Sequence, residues 1–280
     1  MFPVLFEIGP VKIYSYGLFM ALAFLVGSFV VWKKAKEEAF DEGKIFDGII
    51  ITTFFGLMGA RLHFILFHFE HFGFDIIKWL WLTRYVGLYF YGGLFGGVLG
   101  LFWFTRRQKW DFWQIADIVV FGFSLAQIVA KIGCFFNKKD FTQIYEAILV
   151  FFIFYLLLKL ERKYRLFDWY RGKKDKAEPG FLSLFYLILY SFSRIILENW
   201  REDGIYLIGI KITQIISVLI LVFALIALYL RSGREIGGEK KLFTAQFLSL
   251  FDKIKKRMKI TERKTRKKSK ARIKVGKDIK

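Results

Sequence analysis

Residues 180–198 read GFLSLFYLILYSFSRIILE, and this stretch decides the fold. It has the length of a membrane-spanning helix, which needs about 20 mostly apolar residues. Its second half nevertheless carries Tyr190, Arg194 and Glu198 at intervals of four residues, which places them on one face of a helix. An ionisable side chain inside a span is costly and usually faces a cavity or a partner. The stretch therefore predicts a membrane helix whose polar face is turned into the protein.

Six other stretches have a comparable length and apolar composition. They cover residues 13–32, 45–68, 85–104, 112–136, 142–160 and 207–230. Apolar side chains make up 55% of the 280 residues and the mean hydropathy is +0.39, which excludes a water-soluble cytosolic enzyme. Barrel strands would be only about ten residues long and would alternate strictly. The sequence therefore predicts an all-α integral membrane protein with seven transmembrane helices, formed by residues 1–230.

Basic residues are distributed unevenly between the loops. The loops after the first, third and fifth spans carry 15 Lys and Arg, whereas the N-terminus and the other three loops carry 6. The positive-inside rule then places the N-terminus outside and the C-terminus in the cytoplasm. No small-residue cleavage site follows the first span, so we expect that span to be retained rather than removed as a signal peptide.

Residues 231–280 form a basic tail, with 19 Lys and Arg against 5 Asp and Glu. Apolar residues recur at helical spacing near residues 242–259, which predicts an amphipathic helix lying on the membrane surface. The remainder is nearly free of large apolar side chains and is expected to be disordered. We expect the tail to bind anionic lipids of the inner leaflet rather than nucleic acid, which charge alone leaves open.

Ionisable residues occur inside the predicted spans or at their ends. They are Arg61, Lys131, Glu146, Arg194, Glu198 and Arg201. Cations outnumber carboxylates in this set, and the simplest compensating anion in a membrane is a lipid phosphate. The alternative is a set of interhelical salt bridges, such as Arg194–Glu146, with no ligand.

No metal and no other cofactor is expected. Cys134 is the only cysteine, and His63, His68 and His71 are not accompanied by a cluster of carboxylates or further cysteines. Glycines at intervals of four in residues 92–100 indicate close packing against a neighbouring helix, which by itself says nothing of chemistry.

Several short motifs follow one another along residues 1–230. They are Ile8-Gly9-Pro10, Tyr16-Gly17, Gly59-Ala60-Arg61, Phe90-Tyr91-Gly92-Gly93, Gln143-Ile144-Tyr145-Glu146 and, as the most specific, Tyr190, Arg194, Glu198 and Arg201 at their present spacing. In this order they resemble the motifs of the bacterial phosphatidylglycerol–prolipoprotein diacylglyceryl transferase family. Three positions depart from the family pattern: Lys131 stands in place of Arg, Cys134 in place of Asn, and Tyr91 in place of His.

The resemblance implies a seven-span enzyme of the bacterial plasma (inner) membrane. Such an enzyme moves the diacylglyceryl group of phosphatidylglycerol to the lipobox cysteine in the signal peptide of a prolipoprotein and releases glycerol phosphate. Two alternatives stay open at this point. One is a homologue that binds phosphatidylglycerol without catalysis, and the other is a small anion transporter or scaffold.

The resemblance also implies roles for individual residues. Cations would stabilise the leaving phosphate, and a base would take the thiol proton, since the thiolate is the nucleophile. The expected catalytic residues are Arg194, Glu198, Tyr91 and Glu146. The expected substrate-binding residues are Lys131, Arg61, Tyr16, Tyr190, Asn137, Gln143, Tyr145, Arg201, Gly92 and Gly93.

Overall fold

The computed structural model describes residues 4–8, 11–80, 85, 87–138, 140–167, 170, 178–201, 206–207 and 210–232. Its helices are α1 (Ser15–Glu37), α2 (Glu42–Phe67), α3 (Phe69–Phe72), α4 (Ile76–Leu80), α5 (Phe90–Gln108), α6 (Phe112–Lys138), α7 (Phe141–Leu160), α8 (Phe181–Leu197) and α9 (Ile212–Arg231). Single 3-10 turns cover Tyr164–Leu166 and Glu198–Trp200. Two short antiparallel hairpins pair β1 (Val4–Ile8) with β2 (Val11–Tyr14) and β3 (Tyr206–Leu207) with β4 (Ile210–Lys211).

Six of these helices are long and apolar enough to cross a membrane, namely α1, α2, α6, α7, α8 and α9. The prediction of an all-α, multi-pass membrane protein is confirmed to this extent, and the two small hairpins are additions that the hydropathy pattern did not indicate. Helix α5 coincides with the predicted span at residues 85–104, the third along the chain, but its five glycines and the pair Arg106 and Arg107 lower its mean hydropathy. This span, and with it the total of seven, therefore stays a prediction.

The predicted division into a membrane domain and a tail meets the described residues only in part. Met1–Ser232 forms one compact unit. The tail beyond it, including the amphipathic helix predicted near residues 242–259, lies outside the described residues.

Glycines bring α5 against α2 at backbone distance. A Cβ placed on Gly59 would lie 2.9 Å from the Cα of Gly96, and one placed on Gly96 would lie 3.0 Å from the Cα of Gly59. Real Cβ atoms do not tolerate such distances to backbone, so only glycine fits this crossing. Small residues at helix interfaces are the usual means of close packing in membranes. The crossing fixes how α5 is rotated and therefore where its residue Tyr91 points.

Helix α6 is held against α1 in the same way. A Cβ on Gly27 would lie 2.9 Å from the Cβ of Ala126 and 3.0 Å from the carbonyl oxygen of Gly122. The later part of α6, which includes Lys131, also packs against α7 and α8. Helices α6, α7 and α8 therefore surround one polar region near the C-terminal end of α6.

Helix α8 begins on a carboxylate that α6 supplies. Asp117 is buried, and its two oxygens accept hydrogen bonds from the backbone N–H groups of Gly180 and Ser183 at 2.7 and 2.8 Å. Unpaired N–H groups at a helix start favour a negative charge there. Arg231, at the end of α9, donates to the Pro179 carbonyl at 2.9 Å. These contacts fix the start of α8. They thereby also fix the position along the helix axis of the polar residues further along α8.

The segment before α8 packs as an aromatic cluster. The ring of Phe181 stacks on Tyr164 at 5.3 Å and meets the edge of Tyr170 at 4.9 Å, measured between ring centroids. Burial raises the pKa of Tyr170 to about 12, so its hydroxyl stays protonated at neutral pH. The cluster anchors the end of the α7–α8 connection under the first turn of α8.

Candidate functional site

Glu146 lies at the centre of the polar region. Its Oε1 accepts hydrogen bonds from Arg194 Nη1 at 2.6 Å and from the Tyr190 hydroxyl at 3.0 Å. Its Oε2 forms an ion pair with Lys131 Nζ at 2.9 Å. The carboxylate is only 4% exposed, so α6, α7 and α8 meet around a buried negative charge. The interhelical pair Arg194–Glu146 that the sequence suggested is thus present.

Asp140 organises the start of α7 beneath this centre. Its side chain caps the helix, accepting from the Thr142 N–H at 2.9 Å, and also accepts from Gln143 Nε2 at 3.1 Å. Burial alone would raise the pKa of Asp140, but the hydrogen bonds from Thr142 and Gln143 outweigh it and hold that pKa below its usual value. Gln143 Oε1 in turn accepts from Lys131 Nζ at 3.2 Å. The cap therefore positions both Gln143 and, through it, the ammonium group of Lys131.

A second group of charges lies beside the first. Arg194 Nε is 3.6 Å from Glu198 Oε2, and Arg201 Nη1 is 3.9 Å from the same oxygen. Arg201 Nε also lies 3.9 Å from Asp140 Oδ2. Glu198 is 2% exposed, and these long contacts pair Arg201 only loosely, whereas Arg194 is also held by Glu146 at 2.6 Å. Arg201 can therefore turn toward another anion at little cost, and Arg194 can do so only by leaving Glu146.

Lys211 is a buried cation that the sequence reasoning did not single out. Its Nζ donates to the carbonyl oxygen of Glu198 at 2.7 Å and to that of Arg201. The signal was present, since Lys211 stands alone immediately before the apolar run of α9, but it fell at the edge of a predicted span. Lys211 therefore binds backbone carbonyls that follow the end of α8. The last carbonyls of a helix have no partner within the helix, and in a membrane they cannot be left unpaired.

Cations exceed carboxylates in the cluster that these residues form, which we call the charge cluster. Counted over the described residues, it contains Lys131, Arg194, Arg201 and Lys211 together with Asp140, Glu146 and Glu198, a formal charge of +1. A buried net positive charge is unfavourable unless an anion compensates it. The geometry can therefore bind an anionic group between the ends of α6 and α8.

Tyr91 belongs to the surroundings of this cluster. It is close enough to Arg194 and to Tyr190 to interact with both electrostatically. Gly92 and Gly93, by contrast, face α2: a Cβ on Gly93 would lie 3.4 Å from the Cβ of Ala60, and Gly92 is buried against the next turn of α2. The packing of α5 on α2 accounts for both glycines, and no described contact ties them to the charged side chains.

Arg61 is occupied elsewhere. Its guanidinium donates to four backbone carbonyls, those of Lys78 at 3.0 Å, Trp79 at 2.9 Å, Tyr85 at 2.6 Å and Gly87 at 3.2 Å. It is 7% exposed; the carbonyls of Lys78 and Trp79 belong to α4, and those of Tyr85 and Gly87 to the connection from α4 to α5. Arg61 therefore stabilises the chain between α4 and α5 and does not belong to the charge cluster.

Three further predicted residues lie at the protein surface. Tyr145 is 58% and Tyr16 40% exposed, and Asn137 is also exposed. Tyr16 is near enough to Cys134 for an electrostatic interaction. These side chains face the exterior around the cluster, so they can contact only a ligand that approaches from the membrane or from the aqueous phase.

Two polar residues continue the cluster along α6 and α8. The Tyr186 hydroxyl donates to Oε1 of Gln127, and the Tyr186 ring stacks on Tyr190 with centroids 5.7 Å apart and planes at 6°. Sequence reasoning missed both, because a Gln and a Tyr without charge do not stand out in an apolar helix.

Comparison with known proteins is consistent along the membrane domain. The family described as "Prolipoprotein diacylglyceryl transferase" matches residues 3–141 and 140–230. A protein of Aliarcobacter butzleri named phosphatidylglycerol–prolipoprotein diacylglyceryl transferase is 31% identical over 261 residues, covering 81% of this chain and 92% of its own. Proteins with that name from Clostridium perfringens (its transferase 1) and Clostridioides difficile are 29% and 28% identical, covering 86% and 80% of this chain and 97% and 93% of their own.

Proposed function

The chain belongs to the prolipoprotein diacylglyceryl transferase family, and on that premise we propose that it transfers the diacylglyceryl group of phosphatidylglycerol to the lipobox cysteine of prolipoproteins. Glycerol phosphate is the second product. The observation that carries the proposal is the buried Glu146, which is held by Lys131 and Arg194 from two other helices. A phosphate that enters the charge cluster can take over these two cations from the carboxylate.

The cations act on the leaving group. A cysteine thiolate attacks the glycerol carbon that carries the phosphate. The new S–C bond forms, and the bond between this carbon and the phosphate oxygen breaks, so the oxygen leaves with the phosphate. Negative charge grows on the departing phosphate, and preorganised cations in a dry site lower this barrier by several kcal/mol, about 3 kcal/mol for one donor. Arg194 offers a fork that can bind two phosphate oxygens, whereas Lys131 acts as a point charge. Arg201 assists from the neighbouring turn.

Glu146 is the group we assign to the thiol proton. In the present arrangement both of its oxygens are occupied by Lys131, Arg194 and Tyr190. Once the two cations turn to the phosphate, the carboxylate loses their stabilisation and becomes a better proton acceptor. The proton then passes to the glycerol phosphate that leaves. Glu198 keeps Arg194 and Arg201 in position, and Tyr91 lines the side of the site that α5 covers.

The surroundings we propose for this reaction are those of a bacterial plasma membrane. The distribution of 15 against 6 basic residues between alternate loops supports seven spans with the N-terminus outside and the C-terminus in the cytoplasm. The extensive packing of α5 along α2 supports α5 as the additional span. This orientation puts the charge cluster near the outer surface, where a lipobox cysteine arrives. The basic tail then meets anionic lipids of the inner leaflet.

The test is thioether formation by the purified protein in detergent. The substrates are phosphatidylglycerol and a lipobox peptide, and mass spectrometry follows the added diacylglyceryl group. We expect modification of the cysteine peptide, none of a serine peptide, and loss of activity in Arg194→Ala. Arg107→Ala, an exposed arginine at the end of α5, is the matched control that keeps activity. A folded protein that binds the lipid but forms no thioether would instead indicate a homologue without catalysis.

A further inference from the structure

Gln127 carries a buried amide whose donor side is unpaired in the part of the chain that the structure describes. It lies on α6, is 6% exposed, and its Oε1 accepts from the Tyr186 hydroxyl. Within the described residues its Nε2 is buried and makes no hydrogen bond. A buried amide donor left unpaired costs about 1–3 kcal/mol. A ligand that brings an acceptor to this nitrogen removes the cost.

The position of Gln127 ties it to the charge cluster. It precedes Lys131 by four residues, so both side chains leave α6 on one face, about 6 Å apart along the helix axis. Tyr186 stacks on Tyr190, whose hydroxyl donates to Glu146. The unpaired Nε2 therefore lies one turn beyond the phosphate-binding cations, toward the middle of the helix.

A glycerolipid has its own polar groups in the same order. The phosphate lies at the membrane surface, the glycerol carbons follow, and the ester groups that join the acyl chains lie deeper. An ester carbonyl is an acceptor without a proton, which matches a lone N–H donor. An ether-linked lipid with the same head group lacks that carbonyl.

We propose that Gln127 Nε2 donates to an ester carbonyl of the bound diacylglyceryl group, so that the site selects ester-linked over ether-linked phosphatidylglycerol. This inference rests on the proposed transferase function. Tyr186 is a positioning residue in it: by donating to Oε1 it fixes the amide so that the N–H side faces the lipid. The carbonyl lies away from the reacting carbon, so the effect falls on KM rather than on kcat.

The experiment compares dioleoyl phosphatidylglycerol with its diether analogue on the purified full-length chain. In the wild type we expect the apparent KM for the diether lipid to be about 5-fold higher, the value of one neutral hydrogen bond. Gln127→Leu should raise the KM for the diester lipid by a similar factor and leave the two lipids equivalent. Tyr186→Phe should weaken the preference, with kcat unchanged.

The matched control is Gln114→Leu, the same substitution on the same helix. Gln114 donates to Glu38 at 2.9 Å, away from the charge cluster, so this variant should keep the wild-type preference. The thermal shift that each lipid produces gives the same comparison without turnover and shows whether each variant is folded.

The outcomes separate the two proposals. If the wild type treats both lipids alike, or if Gln127→Leu keeps the full preference, no ester carbonyl of the lipid pairs with Gln127, and the inference is wrong. If the wild type forms no thioether with either lipid, the transferase function fails, and the thermal shifts still decide whether Gln127 distinguishes the ester.

Discussion

Replacing Glu146 by Gln tests the idea that this carboxylate occupies the place of the substrate phosphate. The change keeps the size of the side chain and removes its charge, so the formal charge of the cluster rises from +1 to +2. Gln keeps one acceptor for Arg194, which donates at 2.6 Å, but it turns an amide N–H toward Lys131 Nζ, which now lies 2.9 Å from a carboxylate oxygen. Lys131 is then a buried cation without an anion.

The expected loss of stability follows from that geometry. Breaking a buried ion pair by removing one partner costs about 3–5 kcal/mol, and the remaining acceptor puts Glu146→Gln near the lower value. For a protein of this size a loss of about 3 kcal/mol lowers the melting temperature by roughly 10 °C. Glu161→Gln is the matched control: Glu161 pairs with Lys34 at 2.7 Å but is partly exposed, so its loss should cost less than about 1 kcal/mol.

Lipid binding should change in the opposite direction. In the wild type the phosphate competes with Glu146 for Lys131 and Arg194, whereas in Glu146→Gln it meets no competing charge. We expect phosphatidylglycerol to bind the variant about 10-fold more tightly, which corresponds to about 1.4 kcal/mol, while thioether formation is lost with the proton acceptor.

The assay is differential scanning fluorimetry in detergent, with a titration of phosphatidylglycerol against wild type, Glu146→Gln and Glu161→Gln. Added lipid should restore most of the lost melting temperature in Glu146→Gln and should act on Glu161→Gln as on wild type. Equal or weaker lipid binding by Glu146→Gln would refute the exchange of carboxylate for phosphate. The cations would then be structural partners of Glu146.

Three further changes test separate parts of the site. Lys131→Arg restores a forked donor and should lower the apparent KM for phosphatidylglycerol by about 5-fold, on the order of 1 kcal/mol; a higher KM in the activity assay would contradict this. Lys211→Met removes the ammonium group that binds the carbonyls of Glu198 and Arg201. We expect a lower kcat at similar expression, with partial recovery in Lys211→Arg, and an unaffected kcat would exclude a positioning role. Asp117→Ala removes the acceptor for two N–H groups at the start of α8 and should cost about 2 kcal/mol of stability by thermal melting, and a melting temperature like that of the wild type would show that water replaces the carboxylate.

Part of the candidate site was visible in the residue spacing. Tyr190, Arg194 and Glu198 share a helix face by their intervals of four, and the pairing of Arg194 with Glu146 was one of two arrangements open from the sequence. Both follow from helical geometry and from the need to compensate a buried charge. The spacing could not say that Lys131 would bind the second oxygen of the same carboxylate, because that contact joins two helices whose rotation is set by packing.

Other residues changed their role once the helices were packed. Arg61 is a cation inside a predicted span, as a ligand-binding residue would be, but its donors bind backbone carbonyls of α4 and of the connection from α4 to α5. Gly92 and Gly93 stand in a family motif and serve the close crossing with α2. A linear pattern cannot distinguish a charge reserved for a ligand from one that satisfies nearby backbone.

The sequence by itself determined the class of the protein, the positions of its apolar helices and the identity of its family, because hydropathy, helical period and motif order are local properties of the chain. Only the tertiary structure decided which buried charges meet, since Lys131, Glu146 and Arg194 come from three helices, α6, α7 and α8, whose packing includes the cap that Asp117 gives to α8. It also decided that Lys211 and Gln127 belong with them. The role of a buried polar group depends on the hydrogen-bond partner that it has or lacks in the folded protein. That partner is usually distant in the sequence.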